Sequence, residues 1–479
     1  MLDRFFRLSE NGTTVRTELL AGLTTFLTMA YIIVVQPAVL SGGVPDEVLR
    51  PRYFGAVMSA TCLAAALATA IMALYARYPI AQAPGMGENF FFVYLVMMLQ
   101  GRGYTIAESW QTALAVVFLS GVLFLALSLF GVREILLNSI SPSMRHGIAA
   151  GIGLFIALIG LHNGTLILFD EHAGLKMNAQ FASPDLMVFF CGMLLTAALS
   201  ARRFRGAIIL GMFGSALLAV ALLHVLPLLP EALAQSPAFS QSKLLTDFAR
   251  AEAALTSTSF VALPPSLGPT LLQLDFRDAL SGAMLPFVLI FLFMVLFDTL
   301  GTLVGICEQA GFIKDNKLPR AKQALVSDAV GTVAGAAMGT STVTSFIESA
   351  SGVEQGGRTG LTALVVAALF LVALFFQPVV ALLGSYLPIT APALVIVGSL
   401  MMANIGKIDW KDYAEALPAF LVVVGIPFTF SIGDGLALGF IAYPIVKLLA
   451  GQGRDVKWLM YVMAAVLVAH FVFVRAQAG

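Results

Sequence analysis

Two carboxylates stand where a lipid bilayer should exclude them. Asp298 lies inside the apolar run PFVLIFLFMVLFDTLGTLVGI, residues 286–306. Glu348 lies in GTSTVTSFIESASG, residues 339–352, a stretch that disfavours helix between two apolar runs. A charge at bilayer depth costs at least ~2.5–3.5 kcal/mol on insertion scales, so such residues usually line a pathway or cavity. A carboxylate accepts two N–H bonds side by side, and it can also take up and release a proton. Two such acids, one beside a broken helix, point to a secondary transporter with a polar site near the midplane.

Other side chains near them carry weaker signals. Glu88 is a third acid, which either titrates at the site or faces a wet vestibule. The Asn89 amide can bond a ligand carbonyl or tie its segment to a neighbour. Packing accounts for most phenylalanines of a membrane protein; Phe90 and Phe346 stand out because they flank Asn89 and Glu348. Thr302, Thr342, Thr344 and Ser345 can hydrogen-bond a ligand or satisfy the broken backbone. Asp328 reads as structural, capping its helix or pairing with the basic loop before it. His146 and His162 sit near segment ends, and His470 lies in the last apolar stretch.

The elements that position these residues are legible in the composition. The chain has 479 residues, 59% hydrophobic and 11% charged, with mean hydropathy +0.92. A soluble protein carries roughly 25% charged residues. Apolar runs able to span a membrane, at ~20 residues each, recur along nearly the whole chain. This is an all-α polytopic pattern; a β-barrel would alternate over ten-residue strands. A formal net charge of zero gives no reason to expect nucleic acid. The N-terminus is polar and basic up to about Leu19, unlike a cleavable signal peptide. Cys62, Cys191 and Cys307 show neither metal-ligand nor disulfide spacing and read as small packing residues.

Fourteen segments can be counted, with a further apolar stretch at 457–474. Lys and Arg orient them. With Arg4, Arg7 and Arg16 inside, the loops expected inside carry Arg77; Arg133 and Arg145; Arg202, Arg203 and Arg205; Lys314, Lys317, Arg320 and Lys322; Arg358; Lys407 and Lys411; and Lys447, Arg454 and Lys457. The exception is the first outer loop, with Arg50 and Arg52. The N-terminus is therefore expected in the cytoplasm and the chain in the cell membrane.

Seven segments precede the hydrophilic stretch 229–277 and seven follow it. An odd number per half inverts the second half relative to the first. The third segment of each half is interrupted, by Pro84, Gly85 and Gly87 in PIAQAPGMGENFFFVY (79–94) and by β-branched residues in GTSTVTSFIES (339–349). Irregular backbone survives at membrane depth only where protein buries it or water lines it. The two half-helix N-termini would offer free N–H groups to a ligand rich in acceptors. In segment 9, Gly331, Gly335 and Gly339 recur every four residues, a face for close packing.

Four motifs then resemble a known family: LAGLTTFLTMAYIIVVQP (20–37), APGMG (83–87), DTLGTLVG (298–305) and TSTVTSFIESASGVEQGGRTGLTA (340–363). They are similar to those of AzgA-like purine permeases in the nucleobase–cation symporter-2, or nucleobase–ascorbate transporter, group. The resemblance covers nearly the whole chain. It implies a core domain from segments 1–4 and 8–11 (19–134 and 278–383) and a gate domain from segments 5–7 and 12–14 (145–228 and 390–450). Residues 1–18 would be a cytoplasmic N-terminus, 229–277 an outer linker and 457–474 an extra C-terminal helix. Short strands would cross in segments 3 and 10.

The activity implied is proton-coupled uptake of adenine, guanine or hypoxanthine by alternating access, with H⁺ as the coupling ion, no cofactor or metal, and dimerisation through the gate domain. Asp298, Glu348 and Asn89 match the polar residues of segments 8, 10 and 3, and Phe90 resembles the stacking aromatic. Together with Phe346, Thr344 and Ser345 they form the expected substrate site. Asp298, Glu348 and Glu88 are the expected proton carriers. Thr302 stands where related uracil carriers have His. The chain also departs from the family's usual GMGLNAY and VNP, reading GMGENFF and Val35-Gln36-Pro37.

An anion transporter shares this architecture and is the alternative. It would want a cation, or bare helix N-termini with no carboxylate nearby; here acids occupy the key positions and no Lys or Arg lies within the broken segments. No nucleophile–base pair, metal cluster or phosphate loop supports an enzyme.

Overall fold

The computed structural model describes residues 2–130, 140–170, 174–226, 239, 242–257, 259–310, 312, 319–430 and 432–469. Arg133, Lys314, Lys317 and His470 lie outside these, as do parts of the linker and the end of the 457–474 stretch. The chain is mostly helical. Nine of the described helices are long and apolar enough to cross a membrane.

The first half contributes segments 1 (Val15–Ser41), 2 (Arg50–Ala76), 3 (helix Met86–Gly101), 4 (Ile106–Phe130), 5 (Pro142–Asn163), 6 (Pro184–Ala201) and 7 (Ala207–Val225). The second contributes segments 8 (Leu285–Gln309), 9 (Ala321–Met338), 10 (helix Ser349–Glu354), 11 (Gly360–Ser385), 12 (Leu387–Met402), 13 (Tyr413–Thr429) and 14 (Ile432–Leu449). A last helix, Trp458–Ala469, follows.

The halves pack as inverted copies. Segment 4 lies on segment 9 as segment 11 lies on segment 2, and segment 6 lies on segment 12 as segment 13 lies on segment 5. Contacts therefore gather segments 1–4 with 8–11 in one bundle and 5–7 with 12–14 in another.

Among the described residues there are also four short strands. β1 (Gln82–Pro84) precedes the segment 3 helix, and β4 (Val343–Ser345) precedes that of segment 10. They pair antiparallel inside the first bundle, with Gln82 opposite Ser345, Ala83 opposite Thr344 and Pro84 opposite Val343. Each strand has an outer edge with no strand beside it, and one threonine satisfies each edge. Thr69 Oγ1 accepts from Gln82 N (2.9 Å) and donates to Gln82 O (3.0 Å). Thr332 Oγ1 does the same for Val343 N (3.1 Å) and O (2.9 Å). Thr69 is on segment 2 and Thr332 on segment 9, so the clasp itself is repeated.

The glycines of segment 9 allow this approach. A Cβ on Gly331 would come 2.6 Å from Ala68 Cβ, and one on Gly335 would come 3.1 Å from Val343 Cγ2. Gly339 ends the helix at φ +107°, a conformation that favours glycine.

β2 (Ile167–Asp170) and β3 (Gly174–Met177) form a hairpin between segments 5 and 6 that the hydropathy pattern does not announce. The linker is also anchored: Ser242 Oγ and Tyr386 OH both donate to Asp185 at the start of segment 6. Cys62 and Cys307 are buried, whereas Cys191 faces outward.

Candidate transport site

Segment 1 breaks between helices Val15–Met29 and Ile32–Ser41, and the break presents Tyr31. Its hydroxyl donates to Glu348 Oε1 at 2.7 Å. Glu348 occupies the N-cap position of the segment 10 helix, yet its side chain makes no capping bond. The carboxylate is aimed at segment 1 instead. Asp298, half-buried on segment 8, accepts from Thr344 Oγ1 of β4 at 2.8 Å. The strand crossing thus has a carboxylate on each flank, each held by one hydroxyl from another element. An ionised carboxylate has about four acceptor positions, so both keep acceptor capacity.

Glu88 is buried, and its carboxylate folds back over Gly85 beside the Thr344 methyl group. A Cβ at Gly85 would also come 2.6 Å from the Thr344 methyl group, so the close approach of β4, rather than the residue's own φ of −73°, favours glycine there. Thr344 therefore stands between Glu88 and Asp298. Among the described residues, Asp328 accepts from Ser345 Oγ at 3.1 and 3.2 Å. That contact, which the sequence did not indicate, braces β4.

Asn89 is fully buried. Its Nδ2 donates to Gln36 Oε1 and its Oδ1 accepts from Ser341 Oγ, while Gln36 Nε2 donates to Thr340 Oγ1 (2.9 Å) and Ser341 Oγ (3.1 Å). Segments 1, 3 and 10 are tied through this network. Gln36, the departure from VNP, is its hub. Two polar atoms beside the crossing, Gln82 Oε1 and Thr342 Oγ1, are buried without a hydrogen-bond partner among the described residues. Gln82, Tyr31 and Ser341 were not singled out from sequence, where uncharged polar residues in apolar runs carry little signal. Thr302 is half-buried on segment 8.

The aromatic residues divide. Phe91 packs with Phe287 and Phe291 of segment 8, and Phe92 packs edge-on against Trp110. Phe346 is buried, its backbone N–H donating to Ala81 O (3.0 Å). Phe90 instead meets Phe155 of segment 5, in the other bundle, with centroids 6.0 Å apart. From there a file of rings runs through Phe430 to Phe169 of β2 and His162.

The inverted repeat around paired broken segments, with acids at their crossing, defines a membrane transporter. The family model Xan_ur_permease, described as a permease family, matches residues 16–473. The chain is 42% identical over 479 residues to the guanine/hypoxanthine permease PbuG of Bacillus subtilis (99% of this chain, 100% of the relative). It is 37% identical to the adenine permease AdeQ of Escherichia coli (99% and 96% covered). A permease of Methanocaldococcus jannaschii shares 45% identity, with 98% of each chain covered. Among solved structures, the transmembrane domain of the cyanobacterial bicarbonate transporter BicA aligns with TM-score 0.59 at 15% identity, covering 88% of this chain and 97% of that one. That likeness is one of fold. The chain belongs to the Xan_ur_permease family, the nucleobase–cation symporter-2 group, whose members are transporters and not enzymes.

Proposed function

We propose that the protein takes up purine nucleobases (adenine, guanine or hypoxanthine) together with protons by alternating access. The observation that carries this reading is the pair of carboxylates, Asp298 and Glu348, flanking the strand crossing with acceptor capacity to spare. A purine edge presents ring and amino N–H donors that such carboxylates match. Its ring nitrogens and carbonyl need partners of the kind Thr344, Ser345, Asn89 and the N–H groups of the half-helices supply. Phe90 and Phe346 provide flat surfaces. The named relatives, guanine/hypoxanthine and adenine permeases, support the same substrate class. An anion would meet carboxylates and no Lys or Arg in the crossing, which disfavours that alternative despite the shared fold.

In this reading segments 1–4 and 8–11 form the moving core and segments 5–7 and 12–14 the gate. Asp298, Glu348 and Glu88 exchange the coupling protons. No cofactor takes part. The N-terminus lies in the cytoplasm, the chain sits in the cell membrane, and two copies associate through their gate domains. Ligand and proton together shift the balance between outward and inward states, and they do so only by their differential affinity for the two.

The test is uptake of radiolabelled adenine, guanine, hypoxanthine, xanthine and uracil in cells lacking their own carriers. Uptake of at least one of the first three, abolished by a protonophore and by Asp298→Ala or Glu348→Ala, is expected. Absence of uptake of every base by well-expressed protein would overturn the reading.

A further inference from the structure

A pocket of about 150 Å³ lies where the two bundles meet, and no polar side chain lines it. One wall is segment 8, with Phe293 about a turn and a half, and Ile290 about two turns, before Asp298 on the same helix. A second wall is segment 14, with Ala437 and Phe440. The third is the C-terminal helix, with Val462 and Met463. Phe293 and Phe440 meet across the seam with centroids 6.3 Å apart. The C-terminal helix is fastened to segment 14. Tyr461 OH donates to Gly453 O (3.1 Å), and Lys447 Nζ of segment 14 donates to Gln452 Oε1 (2.9 Å) in the same turn. The pocket is therefore a gap between the bundle that holds the transport site and the bundle beside it.

Its chemistry and place restrict what can fill it. An apolar cavity of about this volume, lined by Leu, Ile and Phe, stays dry and takes apolar ligands of roughly benzene size. The inner walls, Phe293, Ala437 and Phe440, are buried, whereas Val462 is 46% exposed. Leu438 of segment 14 and Val468 of the last helix also face outward. The pocket is thus continuous with the apolar surface these helices turn to the bilayer, where lipid tails are the apolar material at hand.

We propose that this pocket seats one acyl chain of a membrane phospholipid, entering past Val462. A chain that is already in lipid gains no hydrophobic transfer free energy by entering; it fills an otherwise empty cavity with packing contacts, and no polar side chain lines the pocket to be desolvated. The site is distinct from the strand crossing and takes a lipid, not a nucleobase. If the first bundle moves against the second, as proposed above, a fluid chain fills the seam where fixed side chains would interlock. That functional consequence rests on the alternating-access reading; occupancy of the pocket does not.

The full chain, reconstituted in phospholipid nanodiscs doped with a phosphatidylcholine whose acyl terminus carries a diazirine, is irradiated and its peptides mapped by mass spectrometry. Labelling of Phe293 or Ile290 on segment 8 together with Met463 is expected. Ala437→Phe, filling the pocket from segment 14, reduces it about tenfold, equivalent to ~1.4 kcal/mol. Met463→Trp, filling it from the last helix, does the same, and labelling at Leu217, which faces outward on segment 7, stays unchanged. The proposal is overturned if segment 8 is unlabelled in the unmodified protein, or if labelling there survives both filling substitutions. Neither readout involves uptake, so failure of the purine reading leaves this test intact.

Discussion

Glu348 depends on a residue 317 positions away, because Tyr31 OH holds one of its oxygens. Hydrogen bonds to charged groups contribute ~1.5–3 kcal/mol. Tyr31→Phe is therefore expected to raise the uptake KM by roughly tenfold or more, with membrane expression preserved, as measured by labelled-base uptake over a concentration series. Thr344→Val removes the donor to Asp298 and leaves a methyl in its place, so a comparable loss of transport is expected in the same assay. The acids were readable from sequence because the bilayer penalises charge so heavily that any survivor must have a reason. Their partners were not. Tyr31 is one aromatic among many, and only the fold brings it to Glu348. The Asn89 amide, open from sequence to either a ligand or a neighbour, is occupied by Gln36 and Ser341 in this state.

At the level of elements, the three-residue strands survive in the membrane because Thr69 and Thr332 close their outer edges. Replacing either by Val strands one buried N–H and one carbonyl, each worth ~1–3 kcal/mol. Thr69→Val and Thr332→Val should lower thermal stability by similar amounts, read as the melting transition on detergent gel filtration. A second buried carboxylate has a purely architectural task. Glu18 of segment 1 accepts from the N–H groups of Arg358, Thr359 and Thr362 and from both threonine hydroxyls, capping segment 11. Glu18→Ala is expected to cut the yield of folded protein while leaving the KM of the survivors unchanged. The broken segments were legible as Pro, Gly and β-branched residues in apolar runs. The register that sets Gln82 opposite Ser345 was not, because pairing two strands some 260 residues apart is a tertiary matter.

For the whole molecule, hydropathy, loop charge and the odd count per half conveyed the inverted repeat, since each reflects the bilayer's own thickness and asymmetry. The β2–β3 hairpin and the Asp185 clasp gave no such signal, lying between the apolar runs or at their ends. The seam between bundles makes a prediction at this scale. A short methanethiosulfonate cross-linker joining Phe293→Cys to Phe440→Cys, in a background without Cys62, Cys191 and Cys307, should stop uptake and release it again on reduction. Uptake that continues with the link in place would show that the two bundles need not part there.

The strand crossing contains acids and no Lys or Arg. Whenever those acids are ionised and the site is empty, the bundle that carries them is itself a charged particle in an electric field. Carrying one elementary charge through 100 mV is worth ~2.3 kcal/mol. If that bundle moves and protons accompany the base, as proposed, an inside-negative potential pushes the vacant carrier toward the outer face, resetting it for the next substrate, while neutralising protons let the loaded carrier travel inward unopposed. Voltage would act on the return stroke rather than on the delivery, and turnover under saturating base should rise as the membrane is hyperpolarised.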